Sequence, residues 1–362
     1  MQTINKQSKH INNESPSITV AIPAFNEEDY IKGIIEKFLN TGYPNLKEIL
    51  VADGGSTDDT RKIVNELSEQ DSRVRLVDNP KKYQSFALNR MIEEAKGEVF
   101  VRADAHCDYG IDYLEKCIEN LQKEEVKNAG GAARFLASNL VQAGTSLAVL
   151  SFLGHGGAKH YNPTYEGYSD TVPMGCFWLK DLKKLGGFNE ENLTNQDAEI
   201  NYRLRTNLEG RIYISPKIKL WYYPREKVLG LFKQYFRYGR GRCITSNSHS
   251  GKIPIRSKAP FVFIVLILTS LLIDWLIFDG ALGSPYYLMI ISFIVFFESI
   301  RLTFTKRNYF EEEVWQKSTD LRPSLFTVCI MVFIVLNIMN FAHFLGYGYQ
   351  LIKSKVFRID GW

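Results

Sequence analysis

Beyond Lys252 the chain carries three apolar stretches, and each is long enough to decide the solvent it must fold in. Ala259 to Phe278 is interrupted only by Asp274, Pro285 to Phe304 contains Glu298, and Ser324 to Tyr347 has no formal charge except on a protonated His343. About 20 such residues match the hydrocarbon thickness of a bilayer. Three membrane-spanning helices are therefore expected, at about 259–278, 285–304 and 324–347. Hydrophobic residues make up 45% of the chain while the mean hydropathy is only −0.17, so an ordinary water-soluble part must be averaging with this apolar one.

Basic residues set the expected orientation. Lys252, Arg256 and Lys258 precede the first stretch and Arg301, Lys306 and Arg307 follow the second, whereas the link 279–284 has none. By the positive-inside bias, the N-terminal part and the 305–323 loop face the cytoplasm of a multi-pass cell-membrane protein. Parity then puts residues 353–362 outside, against the evidence of Lys353, Lys355 and Arg358. A re-entrant third stretch, or one split into a hairpin, would remove the conflict. Five cysteines without paired or metal-like spacing read as buried thiols in a reducing compartment. Residues 1–16 read as a disordered tail with no secretory leader. A net charge of +4, with no basic run among aromatics in the N-terminal part, argues against nucleic acid.

From Ile18 the pattern alternates. Ile18 to Ile22, Glu48 to Ala52, Val74 to Val77 and Glu98 to Val101 read as buried strands; Glu28 to Leu39, Asp58 to Glu69, Gln84 to Ala95 and Asp112 to Lys123 carry helical spacing. This rhythm predicts an α/β fold: a mostly parallel sheet with helices on both faces and ligands beyond the carboxyl ends of the strands. The acidic motifs PAFNEE (23–28), VADGGSTDD (51–59) and VRADAH (101–106) fall at those ends. The Gly-rich segment Asn128 to Phe188 suits acceptor or lid loops, or plain tight turns. Thr194 to Leu208 reads as a helix, with Thr194 as N-cap and Asp197 in capping-box position.

The ordered set of motifs, with NQDAE at 195–199, resembles the membrane-anchored family-2 glycosyltransferases of the GT-A (Rossmann-like) fold, over roughly Ser17 to Arg242. Any one motif alone would be weak. The resemblance implies a GT-A domain at 17–226, an interfacial amphipathic and basic segment at 227–258, membrane helices over 259–352 and a tail at 353–362. It also implies a nucleotide-diphosphate sugar donor and a divalent cation, Mg or Mn, to offset charge growing on the leaving diphosphate. Pro23, Asn26, Glu27, Asp53, Gly54, Asn89 and Arg102 would line the donor nucleotide. For Asp53 the alternative is an Asx-turn before Gly54-Gly55.

VRADAH aligns Asp104 with the second Asp of the family's D-x-D metal motif, while Arg102 takes the place of the first. Similar R-x-D-A-H stretches occur in the branch that builds bacterial exopolysaccharide of the succinoglycan type. His106 is a second metal ligand, a phosphate-orienting group, or a loop hydrogen-bonder. NQDAE matches the family's E-D motif, with Gln196 for the first acid and Asp197 for the catalytic base. A single base without an opposing carboxylate nucleophile favours direct displacement with inversion. Gln234, Arg237 and Tyr238 resemble the Q-x-x-R-W motif with Tyr for Trp, and would meet the acceptor or the diphosphate. The alternative is an interfacial helix, Val228 to Arg242, with rings in lipid and arginines on headgroups.

The expectation is an inverting transferase passing sugar from a nucleotide-diphosphate donor, UDP-linked first, to a membrane lipid-linked saccharide in exopolysaccharide or capsule synthesis. Transfer directly to polyprenyl phosphate is the alternative within the fold, and a non-catalytic nucleotide-binding membrane module the alternative outside it.

Overall fold

Ile18–Ala24 (β1) is the axis of the sheet: it is apolar and enclosed along almost its whole length, as a strand covered on both faces must be. The computed structural model describes residues 15–249, 254–281, 283–359 and 361–362. The tail reading for 1–16 therefore falls mostly outside the described residues. Leu46–Asp53 (β2) and Val99–Arg102 (β4) flank β1 in parallel, and Val74–Asp78 (β3) pairs in parallel beyond β2. Beyond β4 come Cys176–Trp178 (β9), Val126–Gly130 (β6), Arg211–Ile214 (β10) and Gly167–Ser169 (β8). The sheet is mostly parallel, as expected, with two strands reversed. β9 pairs antiparallel with both β4 and β6, and β8 antiparallel with β10. With three residues each, β8 and β9 are too short to leave a periodic signal in the irregular middle segment.

Helices cover both faces, as expected. Ile31–Leu39 presents Ile31, Ile34, Ile35 and Phe38 at helical spacing and packs with Thr60–Gln70 and Tyr113–Leu121 on one side. Gln84–Glu94, Leu179–Lys184 and Gln196–Asn207 fill the other. A small second sheet joins Cys107–Tyr109 (β5), Leu220–Tyr222 (β11) and Ala133–Phe135 (β7). All five cysteines are buried and unpaired.

Among the described residues, three helices are long and apolar enough to cross a membrane: Ala259–Ile277, Ser284–Thr305 and Leu325–Lys355. The third is one continuous helix of 31 residues, so the split-hairpin option does not occur. The first two leave most of their side chains exposed, whereas the third buries a full face in a separate core with Leu140–Ala148 and Val228–Ser248. The helix Val228–Ser248 thereby differs from the interfacial reading. Leu231 and Tyr235 are buried and Phe236 packs beside Tyr349, so these rings meet protein and not lipid. Glycines make this contact close: a Cβ on Gly239 would lie 2.2 Å from the His343 carbonyl oxygen, and one on Gly346 would lie 1.9 Å from that of Phe236.

Candidate active site

In an open α/β sheet the crevice forms where strand order reverses, here between β1 and β4. The β1–β4 ladder ends at Ala21 and Arg102. Pro23, which has no N–H to offer, lies just beyond and leaves the crevice open. Asn26 follows in the left-handed region (φ 55°), accepting from the Thr57 N–H at 2.9 Å and donating its own N–H to Ser56 Oγ at 2.9 Å. Glu27 reaches across the crevice to His106 Nδ1 at 2.9 Å. That bond raises the His106 pKa above its ordinary value in spite of burial.

The loop after β4 carries the chemistry. Arg102 is 4% exposed and its guanidinium bridges two acids, Asp197 Oδ1 at 2.5 Å and Asp104 Oδ1 at 3.2 Å. Burial works against its charge, but Asp104 and then Asp197 carry its pKa above the ordinary arginine value. The Asp197 carboxyl moves upward, chiefly because it is buried, with Arg102 opposing and Asp104 adding to the shift. A base poised above the usual carboxylate range is better matched to taking a proton from a hydroxyl. The arginine in the first D-x-D position thus joins the two acids of separate motifs. Gln196 extends the same network: it donates to Gln84 Oε1 at 2.8 Å, and Gln84 donates to Asp104 Oδ1 at 3.2 Å.

The capping-box reading of Asp197 is not what the chain does. Asn195, in the left-handed region (φ 68°), occupies the N-cap position of Gln196–Asn207, and Thr194 Oγ1 donates instead to the Arg237 carbonyl at 3.0 Å. Gly241 packs closely here: a Cβ on it would lie 2.3 Å from Thr194 Oγ1.

Asp53 is fully enclosed and accepts from the N–H groups of Gly55 and Ser56, from Ser56 Oγ at 2.6 Å and from Arg61 at 3.3 Å. The Asx-turn geometry is thus present, and Asp53 acts on the crevice by shaping its loop. Gly54 donates to the Ala24 carbonyl at 2.8 Å, fastening that loop to the end of β1. Asn89 turns away from the crevice, bonding both ways with the Phe188 backbone at 2.7 and 2.9 Å.

A cavity of about 670 Å³ opens on this network, and Arg102, Asp104, His106, Asp197, Gln234, Arg237 and Tyr238 all line it. Gln234 donates to the Tyr238 hydroxyl at 3.0 Å, which orients that ring toward the cavity. What sequence reasoning missed is the rest of the wall: His160, Tyr161, Arg225, Lys233 and Arg256, with Arg242 noted only as part of a basic run. They come from four separate segments with no shared motif, so only the fold assembles them. Among the described residues, Arg225, Lys233, Arg237 and Arg242 have no carboxylate partner, whereas Arg256 pairs with Asp170. The cavity ends at Pro254, Arg256 and Ser257, directly before the first apolar helix.

No cluster of three His, Cys, Asp or Glu side chains forms a metal site among the described residues. A cation shared with donor phosphates needs fewer protein ligands, one or two carboxylates being common. Asp104 fits that demand, since its Oδ2 has only a 3.4 Å contact from Arg102.

Comparison with known proteins agrees with this fold. The glycosyl transferase family 2 profile matches residues 19–179. The succinoglycan biosynthesis protein ExoA of Rhizobium meliloti is 34% identical over 266 residues, covering 72% of this chain and 80% of that protein. A dolichyl N-acetyl-alpha-D-glucosaminyl phosphate 3-beta-D-2,3-diacetamido-2,3-dideoxy-beta-D-glucuronosyltransferase of Methanococcus voltae is 32% identical over 271 residues, covering 72% and 83%. The fold is similar to that of the mannosyltransferase PcManGT from Pyrobaculum calidifontis, solved with GDP-Man and Mn²⁺, at TM-score 0.54 and 17% identity over 95% of this chain and 89% of that one. With its acidic motifs set at the strand ends of such a sheet and relatives alike over most of their length, the chain belongs to glycosyltransferase family 2 and is a glycosyltransferase.

Proposed function

We propose that this enzyme transfers a sugar, with inversion, from a nucleotide-diphosphate donor to a saccharide carried on a membrane lipid phosphate or diphosphate. The observation that carries the reading is that one cavity is lined by Asp197, by four cations with no carboxylate partner among the described residues, and by residues that precede the first apolar helix. Gathering Arg225, Lys233, Arg237 and Arg242 around a common space is repulsive unless an anion completes it. A lipid-linked acceptor places an anion at that end and a hydroxyl near Asp197. Exopolysaccharide or capsule assembly is the setting favoured by similarity to the Rhizobium protein.

In this mechanism the nucleotide lies along Asn26, Glu27 and the Asp53 loop, at the switch point of the sheet. Asp104, with donor phosphates and in reach of His106, would hold a Mg or Mn ion, which supplies positive charge to the departing diphosphate. Arg102 keeps Asp104 and Asp197 in fixed relation and opposes the upward pKa shift that burial gives Asp197. Asp197 takes the proton from the acceptor hydroxyl as it attacks the anomeric carbon from the face opposite the diphosphate. Gln234 steadies Tyr238, whose ring offers a sugar-stacking surface. The catalytic domain works at the cytoplasmic face.

Transfer straight to a polyprenyl phosphate is the second reading, favoured by the same four cations, because a phosphate acceptor arrives ionised and needs no base. The test is UDP-dependent thermal stabilisation of the detergent-solubilised full chain, with and without Mn²⁺, for wild type and Asp104→Asn. Metal-dependent stabilisation lost in the variant supports the donor site. Absence of stabilisation with UDP, GDP and dTDP alike removes it. Asp197→Asn then separates the acceptors, since transfer to a phosphate survives the loss of a base.

A further inference from the structure

The helix Leu325–Lys355 qualifies as a membrane span by length and composition, yet its packing places it elsewhere. Its contacts with the catalytic part run along nearly its whole length. Just before it, the 310–316 segment is tied to the catalytic part by two backbone bonds, Ala137 N–H to the Val314 carbonyl at 2.8 Å and Gln316 N–H to the Ala137 carbonyl at 2.9 Å. In its first half, Met331 lies against Gly144 of Leu140–Ala148, where a Cβ would come within 2.5 Å. At its middle, Asn340 Nδ2 donates to the Leu153 carbonyl at 3.0 Å. Toward its end, Arg240 Nε donates to Gln350 Oε1 at 3.0 Å and Asn247 Nδ2 to Ser354 Oγ at 3.3 Å.

From Met331 to Ser354 these contacts extend about 35 Å along the axis at 1.5 Å per residue. The hydrocarbon core is about 30 Å thick. If this helix crossed it, Leu140–Ala148 and much of Val228–Ser248 would be drawn into the hydrocarbon with Lys233, Arg237, Arg240 and Arg242, where charged side chains and polar loop backbone are expelled.

The other face of the helix is exposed and apolar. Phe326 (74% exposed), Ile330, Ile334, Phe341 and Ile352 lie within one arc, and the polar residue among them, Asn337, donates to its own helix at the Phe333 carbonyl, 2.8 Å away. This apolar surface is continuous with the two exposed apolar helices. Phe261 at the start of Ala259–Ile277 stacks on Tyr347, ring centroids 4.9 Å apart, and Phe296 of Ser284–Thr305 meets Phe333 edge-on at 6.1 Å. The two exposed helices therefore touch the third at positions well separated along it, near Tyr347 and near Phe333.

We infer that Leu325–Lys355 does not cross the bilayer but lies along its cytoplasmic surface, its buried face on the catalytic domain and its outer face in the lipid of the adjacent leaflet. Ala259–Ile277 and Ser284–Thr305 form the lipid-enclosed hairpin, with both ends on the catalytic side. Lys353, Lys355 and Arg358 then stand on the cytoplasmic side, in agreement with the positive-inside bias. The parity conflict in the sequence disappears. A helix in this position also holds the base of the acceptor cavity level with lipid headgroups, because Val228–Ser248, which carries Arg237 and Arg242, is packed on it. The inference rests on packing and does not depend on the transfer chemistry.

Two measurements on the full chain test it. In cells, a fusion after Trp362 to green fluorescent protein should fluoresce and one to alkaline phosphatase should be inactive; the reverse pattern overturns the inference. In nanodiscs, spin labels at Phe326→Cys, Ile334→Cys, Phe341→Cys and Ile352→Cys, each introduced singly, should report similar shallow depths. A profile that peaks at mid-bilayer near Ile334 and Phe341, with Phe326 and Ile352 in opposite headgroup layers, overturns it. The fusions leave the native sequence intact, so their result stands even if a labelled variant folds poorly.

Discussion

Replacing a glycine by alanine should have opposite signs at two helical positions of this chain, and the difference can be worked out from the space each offers. On Gly346 the added methyl would stand 1.9 Å from the Phe236 carbonyl oxygen and 2.7 Å from its carbon. Both are backbone atoms, so no rotamer change relieves the clash. To restore ordinary contact at 3.4 Å, the helices Val228–Ser248 and Leu325–Lys355 must separate by about 1.5 Å at their crossing. Overpacking of this kind costs about 1–3 kcal/mol, and the rigid backbone puts Gly346→Ala at the upper end. On Gly33, inside Ile31–Leu39, the methyl meets nothing within 4 Å, and alanine gains about 1 kcal/mol in helix propensity. Thermal unfolding of the purified protein in one detergent should therefore rank Gly33→Ala above wild type and Gly346→Ala below. Transfer activity should fall for Gly346→Ala alone, since the displaced helix carries Gln234, Arg237 and Arg242. A Gly346→Ala protein with wild-type stability and activity would refute the helix contact on which this reasoning depends.

Asp197→Asn should lower sugar transfer by about 10²–10⁴-fold, the usual contribution of a general base, while UDP-dependent stabilisation persists. For Arg102→Gln, two partly exposed acids lose their shared, buried cation, and the loss of folding stability should be about 1.5–3 kcal/mol at neutral pH by thermal or denaturant unfolding. The sign with pH follows from Asp197. Its folded pKa already lies above the ordinary value and rises further without Arg102. The stability deficit should therefore shrink toward acid pH, and the acid limb of the rate profile should move upward. Arg242→Gln should raise KM for the lipid acceptor by about 10–100-fold, the value of about 1.5–3 kcal/mol for a charge-assisted hydrogen bond, with donor binding unchanged by thermal shift.

Much of the site was legible because each motif sits where a predicted strand ends, and strand ends in such a sheet converge. Asp104 and His106 fall at such a strand end, whereas Asp197 lies in the first turn of a helix and was singled out by the resemblance of NQDAE to the family motif. The position of Asn89 was not legible, because its helix is correctly read but the rotation that turns its amide onto Phe188 is a packing decision. The substitutions Arg102 and Gln196 read in the sequence as departures from a motif. In three dimensions they are partners, since the arginine ties both acids together and the glutamine reaches Asp104 through Gln84. No spacing rule links residues 84, 102, 104, 196 and 197 across the sheet.

Local order, the α/β class, the switch-point motifs and the presence of lipid-compatible helices were determined by the amino-acid sequence itself, because periodicity, strand-end chemistry and apolar length act over a few to about 20 residues. The antiparallel insertion of β9, the basic wall of the cavity and the burial of one face of Leu325–Lys355 were decided only in the tertiary structure. Each depends on contacts between segments tens to hundreds of residues apart, such as Gly346 against Phe236 and Asn340 against Leu153. Hydropathy counts the apolar residues of a helix without distinguishing lipid from protein as the solvent of each face, and that distinction is made by what the rest of the chain packs against it.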